Sequence, residues 1–195
     1  MKINYTDLNK INLKEIDYNN TFVLIANSPL EVHGKHLPIS ADLIQAEYLS
    51  QKIIEVGEEI LKNSLWIVYP TLPIGIDPIP HQGSMNYTPE LLINLMNETL
   101  SQLKKTGFKN IILSNFHASP RHLVVHDIVC DYFNSIGGKA FSPFGILFSE
   151  FIKKDYNDYL RNILEENNSQ LRTPIERDIH AGAIETSLVM ASGGD

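Results

Sequence analysis

Thr21-Phe22-Val23-Leu24-Ile25-Ala26-Asn27 runs directly into Ser28-Pro29-Leu30-Glu31-Val32-His33-Gly34-Lys35-His36-Leu37-Pro38-Ile39-Ser40-Ala41-Asp42, joining an apolar segment to a polar cluster. The first seven residues are mostly apolar, with Val and Ile at their centre. That is the pattern of a strand covered on both faces. If the backbone stays extended beyond it, Glu31 and His33, two residues apart, point the same way. Gly34 permits a sharp change of direction, and Asp42 returns a second carboxylate where a helical pattern begins. Such donors gathered at a strand end suit a divalent metal of the zinc, manganese or iron type. They suit equally a polar loop whose acids cap the next helix, and the stretch alone leaves both readings open.

Outward from this stretch, strands and helices alternate. Leu43, Ala46, Leu49, Ile53, Ile54, Val56 and Ile60 fall near helical spacing, which predicts one long amphipathic helix over Ser40 to Lys62, with Gly57 inside it. Ser64 to Tyr69 reads as a second strand. Thr71 to Thr88 carries Pro73, Gly75, Pro78, Pro80 and Gly83 and reads as a long loop, of a length that is usually functional. Thr88 as N-cap and Pro89 in the first turn open a helix that closes at Gly107. Asn110 to Phe116 is the third strand, Leu123 to Phe133 a helix, and Lys139 to Ile146 a short fourth strand. A helix over Phe148 to Glu166, a polar turn at Asn167-Asn168-Ser169 and a last helix over Ile184 to Met190 complete the chain. Before Thr21 there is no clear period, and one short helix is expected within Asp7 to Leu13. The alternation predicts a single α/β domain over residues 1–195 with a mainly parallel sheet.

The bulk composition excludes several classes. Hydrophobic content of 43% and charged content of 20% over 195 residues fit an ordinary globular domain. A net charge of −7 argues against a nucleic-acid surface. No apolar run is long enough to span a bilayer, and no basic segment leads into one at the N-terminus. The expectation is a cytoplasmic protein without a leader. Cys130 is the sole cysteine, and its helical context predicts a buried, inert thiol.

In an open parallel sheet, ligands bind beyond the carboxyl ends of the strands. Ser28 to His36, Pro70 to Ser84 and Asn115-Phe116-His117 each follow a predicted strand, so Glu31, His33, Asp42, His81 and His117 should meet at one edge. The convergence favours the metal reading over the capping one.

Glu31-Val32-His33-Gly34 with His36-Leu37-Pro38 and Asp42 resembles the E-x-H-G-x-H-L-P-x-x-x-D motif of the creatininase family of metal-dependent amidohydrolases. Gly107-Phe108 leading to Asn115-Phe116-His117 resembles the family's G-F-x-x-I-x-x-x-N-G-H segment. His180-Ala181-Gly182-Ala183-Ile184-Glu185-Thr186-Ser187 resembles its H-A-G-E-x-E-T-S motif. The resemblance runs in order from Phe22 to Ala191. It implies a three-layer αβα sandwich, often a homo-oligomer, that hydrolyses C–N bonds of small-molecule amides, cyclic amides or modified peptides. It further implies Glu31, His33, Asp42, His117 and Glu185 as ligands for one or two divalent ions (Zn, Mn or Fe), with Asp42 a candidate bridge and His180 a proton shuttle. Water activated by the metal would attack the carbonyl.

The chain departs from the pattern at named places. Ser119 stands where the family's namesake has a glutamate that helps bind a second metal, and Ala183 replaces a carboxylate. Family members usually continue past the point where this chain stops. A non-catalytic scaffold or metal-dependent binding module is therefore the alternative. His36 is expected to orient a ligand or loop. His81 and Ser84 are candidate substrate contacts in the long loop, or ordinary loop residues. His122 and His126, four apart, are expected on a solvated helix face.

Overall fold

The computed structural model describes residues 1–153 and 180–193. Five strands form one sheet in which every pairing is parallel: β1 (Lys2–Asn4), β2 (Thr21–Ala26), β3 (Leu65–Val68), β4 (Asn110–Ser114) and β5 (Lys139–Phe141). Their order across the sheet is β1-β3-β2-β4-β5. Among the described residues six α-helices accompany them: α1 (Lys10–Glu15), α2 (Ala41–Ile60), α3 (Pro89–Thr106), α4 (Pro120–Ser135), α5 (Phe144–Ile152) and α6 (Ala183–Ala191). No helix among the described residues is long and apolar enough to cross a membrane.

Alternation along the strands sorts side chains between two apolar layers. Val23, Ile25, Ile67, Ile111 and Leu113 point to one face, where they meet Leu92, Met96, Leu100 and Leu103 of α3 and Val125, Val129 and Phe133 of α4. Leu24 and Trp66 point to the other and meet Ile54 of α2, with Phe22 stacked on Trp66 at 4.7 Å. Helices therefore cover both faces, and β2 is buried along nearly its whole length. This is the α/β fold with a parallel sheet that the strand–helix alternation predicted, layered as the family resemblance implied.

Local chemistry sets the boundaries. Thr88 accepts a hydrogen bond from the Leu91 amide, Pro89 follows it, and Lys104 and Lys105 lie in the last turn of α3, where they favour the dipole. Short α1 is held by a reciprocal pair between Asn9 and Asn12. Two expectations need correction. The segment predicted as strand over Lys139 to Ile146 is strand only to Phe141. Helix α5 begins at Phe144, four residues before the predicted start, because Pro143 ends the pairing and its carbonyl accepts from the Ile146 and Leu147 amides. Strand β1 was not anticipated. Its three residues carry no periodic signal, and it forms because the open edge of β3 offers partners from Trp66 to Val68. The predicted continuation of the helix to Glu166 and the turn at Asn167-Asn168-Ser169 lie outside the described residues.

Gly57 has a packing cause. A Cβ there would stand 2.2 Å from Cζ2 of buried Trp66, so the helix reaches the sheet only because no side chain intervenes. At Gly145, in α5, an added Cβ meets nothing within 4 Å. Gly57→Ala is expected to cost about 1–3 kcal/mol by overpacking. Gly145→Ala should be neutral or stabilising by up to about 1 kcal/mol. Urea unfolding of the two variants beside the parent checks the pair.

Candidate metal centre

Strands β2 and β4 are neighbours, but the chain leaves them in opposite directions. The connection through α2 leads to β3 on one side, and that through α4 leads to β5 on the other. A crevice opens at such a reversal, beyond the carboxyl ends of the strands. Glu31 and His33 follow β2, His117 follows β4, and Asp42 stands in the first turn of α2. Glu185 comes from the first turn of α6.

Asp42 occupies the centre. One oxygen, Oδ1, lies 3.1 Å from His33 Nε2, and the other, Oδ2, lies 3.2 Å from His117 Nδ1. His117 Nδ1 is also 3.0 Å from Glu31 Oε2, and His33 Nε2 is 3.8 Å from Glu185 Oε1. Three donor sets result among the described residues, Glu31–Asp42–His117, His33–Asp42–Glu185 and Glu31–His33–His180, each with its atoms within 4.8 Å of one another, and the first two share Asp42. Ser40 is the N-cap of α2, and no side-chain cap bond is made there; Asp42 lies inside the first turn. Its place at a helix N-terminus still favours the carboxylate.

Four of the predicted ligands, all but Asp42, are aimed by a bond made elsewhere on the side chain. His33 donates from Nδ1 to the Glu31 carbonyl at 3.0 Å, leaving Nε2 for the cluster. His117 donates from Nε2 to the Ile76 carbonyl at 3.1 Å, leaving Nδ1. Glu31 Oε1 accepts the Ile79 amide at 2.7 Å, leaving Oε2. Glu185 Oε2 accepts the Ala181 amide, leaving Oε1. Such outer partners fix the tautomer and orientation of metal ligands. Asn115, whose amide bonds both the amide and the carbonyl of His117 and receives the Ser28 hydroxyl, holds the turn after β4 in shape.

Glu31, His33 and Asp42 are each 1% exposed and His117 is 7% exposed. Glu31 Oε2, His33 Nε2 and Asp42 Oδ2 make no regular hydrogen bond among the described residues; Glu31 Oε2 and Asp42 Oδ2 lie beside His117 Nδ1, and His33 Nε2 beside Asp42 Oδ1. Buried polar atoms without partners are costly and call for a missing ion or water. A mixed N/O set of this kind fits zinc or manganese, so the residues fit the metal the motifs imply.

Charge coupling inside the cluster is strong. Burial opposes the charge on His33 and His117, but the Asp42 carboxylate beside both, and the Glu31 carboxylate beside His117, outweigh it. They hold the two rings protonated up to about 9 and about 10. Burial likewise opposes the Asp42 carboxylate, yet the two histidines pull it down to about 2. For Glu185, burial wins and its acid is raised.

His180, just before α6, packs at a tilt against His33 with 4.3 Å between ring centroids, and its Nε2 lies 3.1 Å from the Val32 carbonyl and 3.9 Å from Glu31 Oε1. It is half-buried, so it borders the cluster from the solvent side. His36 meets the Thr186 hydroxyl at 3.0 Å and ties the loop after β2 to α6. Ser119 turns to Asp77 at 3.3 Å. Ser84 is half-buried, and its hydroxyl accepts the Val32 amide at 3.1 Å, pinning the long loop over the Glu31 segment. His81 is exposed, with its ring against the Gln82 carbonyl, and belongs to none of the donor sets. The expectation of a solvated His122 and His126 is wrong, because α4 turns this face into the core and both rings are fully buried. The supporting amides and carbonyls of Ile76 and Ile79 had no signal in the sequence, since any residue type supplies them. Cys130 is buried as expected, and burial pushes its thiol up to about 12.

Fold and donor cluster together define a parallel α/β protein with a buried cluster of groups that could hold a divalent metal. The family model for creatininase, creatinine amidohydrolase, matches residues 6–195, and the chain belongs to that family of metal-dependent amidohydrolases. A creatinine amidohydrolase (creatininase) crystal structure is similar with a TM-score of 0.67 at 19% identity, over 97% of this chain and 71% of that one. A manganese creatininase matches with a TM-score of 0.64 at 17% identity, over 98% of this chain and 73% of that one. A mutant creatininase complexed with creatine matches with a TM-score of 0.65 at 17% identity, over 98% and 73%. No curated protein matches the sequence.

The titrations oppose one another in the metal-free chain. His33 and His117 have raised values, so their contribution is complete below the ordinary 6.5 and is lost as pH rises through about 9 and about 10. His126 is lowered to about 4 by burial, so the unfolded chain binds the extra proton and stability falls as pH drops from 6.5 toward 4. Thermal melts in chelator should show a maximum near neutrality with loss on both sides. Added zinc should flatten the alkaline limb, because the metal replaces the protons that His33 and His117 otherwise hold.

Proposed function

We propose that this chain hydrolyses a C–N bond of a small amide or cyclic amide, using divalent metal held by Glu31, His33, Asp42, His117 and Glu185. The observation that carries the reading is the division of Asp42, whose two oxygens face two different histidines inside a buried cluster. A carboxylate so placed can serve at once the two donor sets that contain it, in the manner of two-metal hydrolases. When bound, the metal supplies Lewis-acid polarisation of the carbonyl and a water made acidic enough to ionise near neutral pH. Zinc, manganese and iron all suit the donor set.

The protein's own residues supply the rest. Glu31, His33 and His117 arrive with their ligand atoms already aimed, which lowers the reorganisation needed when a substrate enters. His180 borders the cluster from the solvent side and is the candidate to hand a proton to the leaving nitrogen, because an imidazole nitrogen can both take up and release a proton. The Thr71 to Thr88 loop, fastened by Ser84, shapes the entrance. His81 stands on that loop as a candidate contact for a larger amide or a modified peptide. Creatine in one related structure supports a small guanidino or amide substrate. Homo-oligomer formation, part of the family resemblance, would complete the entrance with a second copy.

The turn of Ser119 away to Asp77 favours one further reading, a metal-binding module without turnover. However, each donor set has three protein groups, which leaves room for water, as catalytic sites do and structural sites do not. Asp42→Ala should lose bound metal and hydrolysis together while the fold persists. His180→Ala should keep the metal and lose about 10²–10⁴-fold in turnover. Elemental analysis and a screen of linear and cyclic amides check both. Metal retained in Asp42→Ala would remove the ligand assignment, and a metal-loaded parent inert across the screen would leave the binding module.

A further inference from the structure

His122 and His126 are 0% and 1% exposed, and Asn27, at the end of β2, is 0% exposed. None of the three belongs to a donor set. Buried polar side chains lower stability unless their bonds are made, so a group of three calls for a use.

Asn27 makes its bonds to one segment of chain. Its Nδ2 donates to the Leu72 carbonyl at 2.9 Å and to the Ile74 carbonyl at 2.6 Å. With both N–H groups so directed, Oδ1 faces His126 and accepts from its Nε2 at 2.9 Å. His126 is thereby the Nε2–H tautomer, and its Nδ1 accepts the Ser142 hydroxyl at 3.2 Å. Every position of the Asn27 amide is used, and its orientation is set from two sides.

The segment it holds leads to the metal centre. Two residues beyond Ile74, the Ile76 carbonyl receives the Nε2–H of His117, the bond that leaves Nδ1 facing Asp42 and Glu31. The Ile76 amide is directed at His122 Nδ1 at 3.4 Å, and the His122 ring packs edge-on against His117 at 5.4 Å. The main chain fastens this segment to the sheet chiefly at its start, where the Leu72 amide bonds the Ala26 carbonyl at 2.9 Å. Past that point the Asn27 side chain takes over.

We infer that Asn27, braced by His126, is a positioning residue: it sets Leu72–Ile76 so that the Ile76 carbonyl holds His117 with Nδ1 toward the metal. The inference rests on the metal reading given above. It concerns one donor set only. Glu31–Asp42–His117 depends on Ile76, whereas His33 and Glu185 are aimed by the Glu31 carbonyl and the Ala181 amide. Loss of the brace should therefore weaken one ion and spare the other, a pattern that general damage to the fold would not give.

The test is zinc binding by the full chain, measured by calorimetry with a competing chelator, beside thermal melts of the metal-free protein. Asn27→Ala and His126→Phe should weaken one bound zinc by about 10–100-fold, the range for losing an outer partner of a metal ligand. The second zinc should keep the parent affinity. His126→Gln, whose side-chain amide can replace the Nε2–H donor, should restore the first. Cys130→Ala, one turn further along α4 and outside the network, should behave as the parent. If Asn27→Ala does not fold, the His126 pair carries the test. Parent-like affinity in both Asn27→Ala and His126→Phe overturns the inference and leaves the metal reading intact. Equal weakening of both ions with a lowered melt also overturns it, as general damage. A parent chain that binds no zinc overturns the metal reading and this inference with it.

Discussion

The Asp42 carboxylate, enclosed between His33 and His117, is the constraint on which the rest of the structure depends. Two further acids, Glu31 and Glu185, face the same small volume. Removing such charges from water is expensive unless they are paired and bonded. Without metal, the pairing comes from protons held on the two histidines. Metal bound to the same atoms would do that work with fewer protons. The cluster is stable in either condition only because its members come from separate elements, the ends of β2 and β4 and the starts of α2 and α6, each anchored in its own layer. Trp66 against Gly57 and the α3–α4 face against the sheet hold those anchors in place.

Much of the site is built from main chain. The amide of Ile79 and the carbonyls of Glu31 and Ile76 choose which atom of each ligand faces inward. This explains why a long, Pro- and Gly-rich loop lies across the crevice in place of a helix. A helix would spend its amides and carbonyls on itself, whereas an irregular segment can offer them to side chains. At Gly75 an added Cβ would stand 2.5 Å from Pro29, so the loop rests directly on the motif it orients. Ser84 closes it from the far end through the Val32 amide.

The same division marks what could be read from the chain. The strand at Thr21–Ala26, the α3 boundaries at Thr88-Pro89 and Gly107, and the places of Glu31, His33, Asp42 and His117 followed from periodicity, turn residues and spacing, because those signals are local. The motif resemblance supplied Glu185 and His180. Strand β1 escaped notice because three residues beside an open edge need no pattern of their own. His122 and His126 were misread because a spacing of four tells which residues share a helix face but not whether that face meets water or core.

The primary structure carried, unaided, the alternation of elements, the donor types and the order in which they arrive, all of which depend on neighbours within a few positions. Tertiary packing alone decided which oxygen of Asp42 meets which histidine, which nitrogen of each ring faces the cluster, and that Asn27 grips Leu72 and Ile74. Those choices depend on contacts between residues far apart in the chain. They are made by main-chain groups that every residue possesses, so no side-chain code announces them.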